Sequence, residues 1–452
     1  MANKTTSIVT FSILSPDTSL SYDRIKLRLE EDRTLLASDS DTIELWTENG
    51  RTVICRKQAK EMEEYLDQAE ILLRDVVQSR DISTLVVLYR LRDLAGVLDN
   101  LKLYDECRLT GNCALDLAEA LGRRSLEFRQ EQAETLAHIA GLSVYEPRAR
   151  TFYIQAVSIC EDVVEDNPSH SNKYKLLTVL TRAGHKALGD PSVHWLERAV
   201  LLMTKELPPT MVPAYFRSAI YYNYGHGLFE LKQYANAAEA YHESISIRRV
   251  LVNNNPVKYN YRLATTLFNM GHTLRAIGKY DDAIAAYKEN LDICAAMSAQ
   301  DPPRYRELMA DTLINYGVTL WNFNQFPEAV VIQKQAVSLY RDLGHERTQQ
   351  LYTALYNYGS SCYLLGKHAE AVLAYQESIL LLRARAATHP KEGRYLRRAL
   401  HNIANSFNAL GKSVEANAAA IEALERNHGR VSKRCKYPRD FKSCFVCQRV
   451  II

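Results

Sequence analysis

Across 452 residues no apolar run approaches the ~20 residues that a membrane-spanning helix needs. The apolar stretch Ser7–Leu14 is short, interrupted by Thr and Ser, and without a small-x-small cleavage site. It reads as a strand or an irregular start rather than a secretory signal. A disulfide framework is also missing. The nine cysteines are odd in number, scattered and mostly at apolar helical positions, which suits reduced, buried thiols in an intracellular protein. Net charge is only +3, from 56 Lys and Arg against 53 Asp and Glu, too little for a polycation that binds nucleic acid non-specifically. The chain has no H-E-x-x-H, no G-x-S-x-G and no G-x-G-x-x-G. Leu410-Gly411-Lys412-Ser413 ends like a phosphate-binding loop, but Ser406 stands where the first glycine is required. These absences lead us to expect no catalysis, no cofactor and no metal, and neither nucleic acid nor membrane as partner.

What is present is repetition. Small residues recur at Ala95, Ala137, Gly184, Gly225, Gly271, Gly317, Gly359 and Ala404, 41 to 47 residues apart. A fixed period of this size signals a solenoid, in which each unit buries its apolar face only by stacking on its neighbours. Around each small residue the apolar positions follow the helical spacing i, i+3, i+4, i+7, as in Leu267, Met270, Gly271 and Leu274. A turn comes next, with glycine at Gly278, Gly366 and Gly411, where a left-handed residue ends a helix. A second helix then carries Ala and Tyr at fixed offsets, and prolines such as Pro256, Pro302 and Pro390 separate the units.

The triplets Gly225/Ala237/Tyr241, Gly271/Ala283/Tyr287 and Gly359/Ala371/Tyr375 resemble the tetratricopeptide repeat. The form is the long-period one of kinesin light chains and fungal multi-repeat proteins. The unit at Gly317 departs from it, with Gln333 in place of the aromatic, and the unit at Ala95 has Cys107 in place of Ala. The resemblance covers about residues 85–427. It implies an all-α, right-handed α-α superhelix, a TPR solenoid of about eight helix pairs, whose first helices line a concave groove.

The flanks differ. Residues 1–55 read as a segment that is either irregular and partly disordered or built on a β-hairpin, with strands Thr42–Trp46 and Thr52–Cys55 flanking Asn49-Gly50. Residues 56–84 read as an amphipathic capping helix. Residues 428–452 form a basic, cysteine-containing tail expected to be disordered. Its Lys433-Arg434-x-Lys436 is a weak nuclear-import patch on a chain otherwise expected in the cytoplasm, and Cys435, Cys444 and Cys447 make a poor zinc set.

Two residues before the small position, five consecutive units carry asparagine: Asn223, Asn269, Asn315, Asn357 and Asn402. The resemblance places this position in the groove. An amide offers one acceptor and two donors, matching both sides of an extended peptide backbone. The alternative is that each asparagine bonds a neighbouring helix and sets stacking. Tyr222, Phe268 and Tyr356 precede three of these amides, and Arg275, Trp321 and Tyr363 follow three of them by six positions. Aromatics beside amides suit a peptide with apolar anchors. Arg275 and Arg398 are the candidates for an acidic ligand group. Histidines follow the small residue at His138, His185, His226 and His272. Ordinary hydrogen-bonded side chains are expected there, with a groove gaining charge below about pH 6.5 as the alternative. The expected function is a scaffold or adaptor holding an extended segment of a partner protein, of unspecified oligomeric state. The alternative is the recognition arm of a larger signalling protein with a nucleotide-binding or protease-like effector.

Overall fold

The structure, a computed structural model, describes residues 42–47, 50–55, 84–123, 126–186, 190–299, 301–344, 347–386 and 392–431. Strand β1 (Thr42–Thr47) pairs antiparallel with β2 (Gly50–Cys55), and Gly50 sits in the ladder opposite Thr47. Gly50 is thus a strand residue, whereas the Asn49-Gly50 signal predicts it in the turn. The expected capping helix before Thr84 and the cysteines of the tail lie outside the described residues.

Sixteen α-helices follow among the described residues, two for each of the eight small-residue anchors. They fall in two compact units, one ending at Lys232 and the other beginning at Gln233. The first unit holds α1 (Thr84–Asn100), α2 (Tyr104–Gly122), α3 (Leu126–Ile139), α4 (Glu146–Asp166), α5 (His170–Lys186), α6 (Asp190–Leu201) and α7 (Ala214–Glu230). A π-helical turn, Leu202–Glu206, extends α6. The second unit holds α8 (Tyr234–Asn254), α9 (Pro256–Ala276), α10 (Tyr280–Met297), α11 (Pro302–Asn322), α12 (Phe326–Leu343), α13 (Thr348–Leu364), α14 (His368–Ala386), α15 (Gly393–Ala409) and α16 (Ser413–Val431). Within each unit every helix packs on the next, and first helices also touch the first helix of the following pair.

Close approach within a pair depends on the small residue. A Cβ on Gly271 would lie 2.6 Å from Cε1 of Tyr287, and one on Gly359 2.9 Å from Cε1 of Tyr375. The alanine of the second helix is fully buried in four successive pairs, at Ala237, Ala283, Ala329 and Ala371. In the degenerate first pair Cys107 takes this position and its thiol donates to the Ala95 carbonyl oxygen at 3.3 Å. The altered residue therefore keeps the contact between the two helices.

The turns share one geometry whatever the residue. Gly278, Gly366 and Gly411 adopt positive φ, as their position after a helix predicts. Lys102, Lys232 and Asn324 do the same at the equivalent positions with φ near 60°. The six-residue closing bonds recur too, from Lys279 N to Leu274 O and from Gln325 N to Leu320 O. The start of α9 is also specified locally: Pro256 opens it, and Asn255 Oδ1 accepts from Lys258 N at 3.1 Å. On the outer side of the second unit, bidentate Arg249–Glu289, Arg341–Glu377 and Arg383–Glu422 pairs join second helices of adjacent pairs. All three are solvent-exposed, so each contributes at most about 1 kcal/mol.

Candidate functional site: a cavity between repeats

Helices α9, α11, α13 and α15 carry Asn269, Asn315, Asn357 and Asn402 in the second unit, while α7 carries Asn223 in the first. All five are half-buried, but their partners differ. Asn315 Nδ2 donates to the Asp311 carbonyl oxygen of its own helix at 3.0 Å. Asn402 Nδ2 reaches back to the preceding pair, 2.9 Å from Tyr356 Oη and 3.4 Å from Tyr375 Oη. Asn357 makes no hydrogen bond with a described residue. The ladder is therefore regular in sequence and irregular in bonding: Asn402 ties two pairs together, and Asn357 keeps its full amide for another partner.

A cavity of about 320 Å³ opens beside Asn357. It draws on α11, α12, α13, α14 and α15, and it gathers five of the sequence-predicted residues: Trp321, Tyr356, Asn357, Tyr363 and Asn402. Phe268, Asn269, His272 and Arg275 lie on α9, one pair earlier, outside its lining, and Tyr222, Asn223 and His226 lie on α7 of the first unit. Arg398, the second cationic candidate, lines the cavity with its guanidinium 5.7 Å from the Tyr356 ring centre. No carboxylate lines it. Trp321 is 39% exposed and meets Phe326 edge-on, so its indole is a wall open to solvent rather than core.

Sequence reasoning missed the floor. Gln333 and Tyr375 lie there, both almost fully buried. Tyr375 Oη donates to Ser360 Oγ at 3.0 Å. Burial pushes its phenol up to about 12, with Tyr356 adding to the shift, so it stays a neutral hydroxyl at any physiological pH. The signal that could have found this floor was Gln333, standing where neighbouring pairs have tyrosine.

His138 joins two first helices. Burial, reinforced by the Arg92 and Arg182 charges, lowers His138 to about 4. Its Nε2 lies 3.0 Å from the Arg92 carbonyl oxygen, the hydrogen bond of a neutral ring carrying its proton there. Burial and Arg275 likewise lower His272 to about 4. Burial thus favours the neutral form of both rings near pH 6.5, and His226 is solvent-exposed. A ring held neutral in the folded state takes up protons more readily when unfolded, so stability falls as pH drops from about 6.5 towards 4. For His138 the loss is on the order of 2–3 kcal/mol. Urea midpoints of His138→Gln are expected to fall less steeply than wild type over that window, and equal slopes would assign the loss elsewhere.

Charged side chains link the first helices of the first unit. Lys175 Nζ lies 3.5 Å from Glu131, and Arg92 approaches Glu131 and Glu134 at 3.8 and 4.0 Å, joining α1, α3 and α5.

Tetratricopeptide-repeat profiles match residues 216–296, which hold the Gly225–Tyr241 and Gly271–Tyr287 sets, and residues 309–343, which hold Gly317 and Gln333. These segments are tetratricopeptide repeats. No curated protein sequence matches it. Among solved structures, RapI in its apo form is similar over 78% of this chain and 100% of its own, with 9% identity and a TM-score of 0.50. A signal-transduction ATPase with numerous domains from Pyrococcus horikoshii, which has a tetratricopeptide-repeat sensor, is similar over 85% of this chain and 56% of its own, with 12% identity and a TM-score of 0.50. At such identities the likeness concerns the fold. The tetratricopeptide repeats make the chain a protein-interaction scaffold. No helix among the described residues is long and apolar enough to cross a membrane.

Proposed function

We propose that this chain is a non-enzymatic scaffold or adaptor, and that its second unit holds an extended segment of a partner protein along α9, α11, α13 and α15. The observation that carries the reading is the cavity, where aromatic walls and an uncommitted asparagine from successive repeats converge. Trp321, Tyr356 and Tyr363 supply apolar surface for an anchor side chain. Asn357 supplies donors and an acceptor for a peptide backbone. The lining offers one cation, which favours a peptide over a nucleic-acid backbone and its row of phosphates.

The test is affinity capture from the native cell with wild type and with Asn269→Ala/Asn315→Ala/Asn357→Ala, read by mass spectrometry and then by titration of the recovered partner. Each amide is assigned about 1 kcal/mol, so the triple variant should bind about a hundredfold more weakly at unchanged helical content. If the variant loses helicity while its folded fraction captures the same partners, the asparagines set stacking and the reading is wrong. The alternative role as a recognition arm is decided separately, by whether an effector domain is encoded in frame with residue 1.

A further inference from the structure

At sixteen residues past the small anchor, Tyr241, Tyr287 and Tyr375 are each fully buried. The Tyr287 ring stacks on Tyr316 of the next first helix, centroids 6.2 Å apart, and Tyr375 approaches Tyr356 at 5.8 Å. The Tyr287 and Tyr375 rings fill space around the first helices they touch. Position 333 keeps the glycine beneath it, Gly317, but has a glutamine above, and the cavity lies there. The cavity is thus the space of a missing ring.

Gln333 is 2% exposed, its Oε1 has no hydrogen-bond partner, and no described residue bonds its amide. A buried amide left unmatched costs about 1–3 kcal/mol, so the floor of this cavity selects for a group that can engage it. The first unit shows how such a gap is filled from outside the pair. Gly111 occupies the equivalent position there, and a Cβ on it would lie 2.8 Å from Oη of Tyr145. Tyr145 comes from beyond the pair, after α3, and its hydroxyl meets the Arg108 carbonyl oxygen and Asn112 Oδ1 at 2.7 and 2.8 Å.

We propose that the cavity beside Gln333 is a binding site for the phenol of a tyrosine on the partner's extended segment, its ring replacing the missing one and its hydroxyl bonding the Gln333 amide. This rests on the peptide-scaffold reading above and names the anchor chemistry of the same site. Other side chains fit less well. Phenylalanine fills the space but leaves the amide unmatched. The indole of tryptophan only donates, whereas a hydroxyl both donates and accepts. Serine and threonine leave most of about 320 Å³ empty. Lysine and arginine meet Arg398 and find no carboxylate in the lining.

The test uses side-chain analogues on the full chain: para-cresol, toluene and 3-methylindole, titrated by ligand-observed NMR. One hydrogen bond in a buried site is worth about 1.4 kcal/mol, so cresol should bind wild type about tenfold more tightly than toluene. Gln333→Tyr restores the residue of the neighbouring repeats over an unchanged Gly317, and should fold with cresol binding lost. Gln333→Leu keeps the space without the amide, and should bind cresol and toluene alike. Equal affinities of cresol and toluene for wild type, or undiminished cresol binding to folded Gln333→Tyr, would overturn the proposal. Should Gln333→Tyr not fold, persistent tenfold cresol selectivity in Gln333→Leu overturns it instead. Cresol selectivity without any peptide capture would sink the scaffold reading and keep the pocket, and capture without selectivity would do the reverse.

Discussion

Replacing Gly271 with valine is expected to destabilise the second unit by about 3 kcal/mol, although it removes a glycine from the interior of a helix. Glycine at such a site costs about 1 kcal/mol in backbone entropy, so intrinsic propensity alone favours the change. Packing opposes it. The new Cβ would lie 2.6, 2.8 and 2.9 Å from three atoms of the Tyr287 ring, and the valine methyl groups would extend further. That ring cannot swing aside freely, because it is fully buried, stacks on Tyr316 and meets Phe268 at 6.5 Å. Driving it out forfeits the burial of a large side chain, about 3–5 kcal/mol, which outweighs the propensity gain. Urea midpoints measure the total, and hydrogen exchange should localise the loss to α9 and α10. Because the cause is one contact, Gly271→Val should cost far less in a Tyr287→Ala background, with a coupling of at least about 2 kcal/mol in the double-mutant cycle. Additive effects, or a valine variant as stable as wild type, would mean that the glycine is not held by this ring.

The same contact explains why so much of the fold was readable. Gly271, Ala283 and Tyr287 recur as a set because three side chains in one pair must fit together, and a period of such sets specifies helix pairs without further information. The turns were half readable. Gly278, Gly366 and Gly411 announce a left-handed residue, whereas Lys102, Lys232 and Asn324 adopt it without announcing it, because closing bonds to the preceding helix impose it. The site was readable where it is a sum of local positions: Trp321, Tyr356, Asn357, Tyr363 and Asn402 do meet. It was unreadable where partners lie far apart in the chain. Nothing in the run around Asn402 reveals that its amide reaches Tyr356, 46 residues earlier. The departure at Gln333 was visible, but its consequence is a volume, and a volume exists only once the surrounding helices are placed.

Asn290→Asp is expected to cost about 3–5 kcal/mol at neutral pH, with the deficit shrinking in acid. The two side chains have nearly the same shape, so packing is conserved and only chemistry changes. Asn290 is fully buried on α10, between α9 and α11. Its Nδ2 donates to the Ala264 carbonyl oxygen at 2.7 Å, and its Oδ1 lies 2.8 Å from the Thr312 hydroxyl and 3.6 Å from Cys294 Sγ. Aspartate would set a carboxylate oxygen against the Ala264 oxygen, two acceptors with no proton between them, and would bury a charge with no cation bonded to it. An uncompensated buried charge carries a penalty of this size. Burial raises the folded-state pKa of such a carboxyl above its unfolded value near 3.9, so the folded state binds the proton more tightly. The deficit is therefore fully present above the folded pKa and shrinks as pH falls through it, because the protonated carboxyl can again donate to Ala264. Comparing urea midpoints of variant and wild type from pH 4 to 8 tests both magnitude and sign. A deficit below about 1 kcal/mol at pH 7, or one independent of pH, would show that the junction between α9, α10 and α11 does not depend on this amide. Two pairs later Ser378 makes the corresponding reach to the Tyr352 carbonyl oxygen at 2.9 Å, while the pair between has Ala336 at that position. The bond is thus optional for the repeat as a design. What makes the aspartate costly is the unpaired charge rather than the lost bond, and that is why its penalty, unlike that of a neutral replacement, should follow pH.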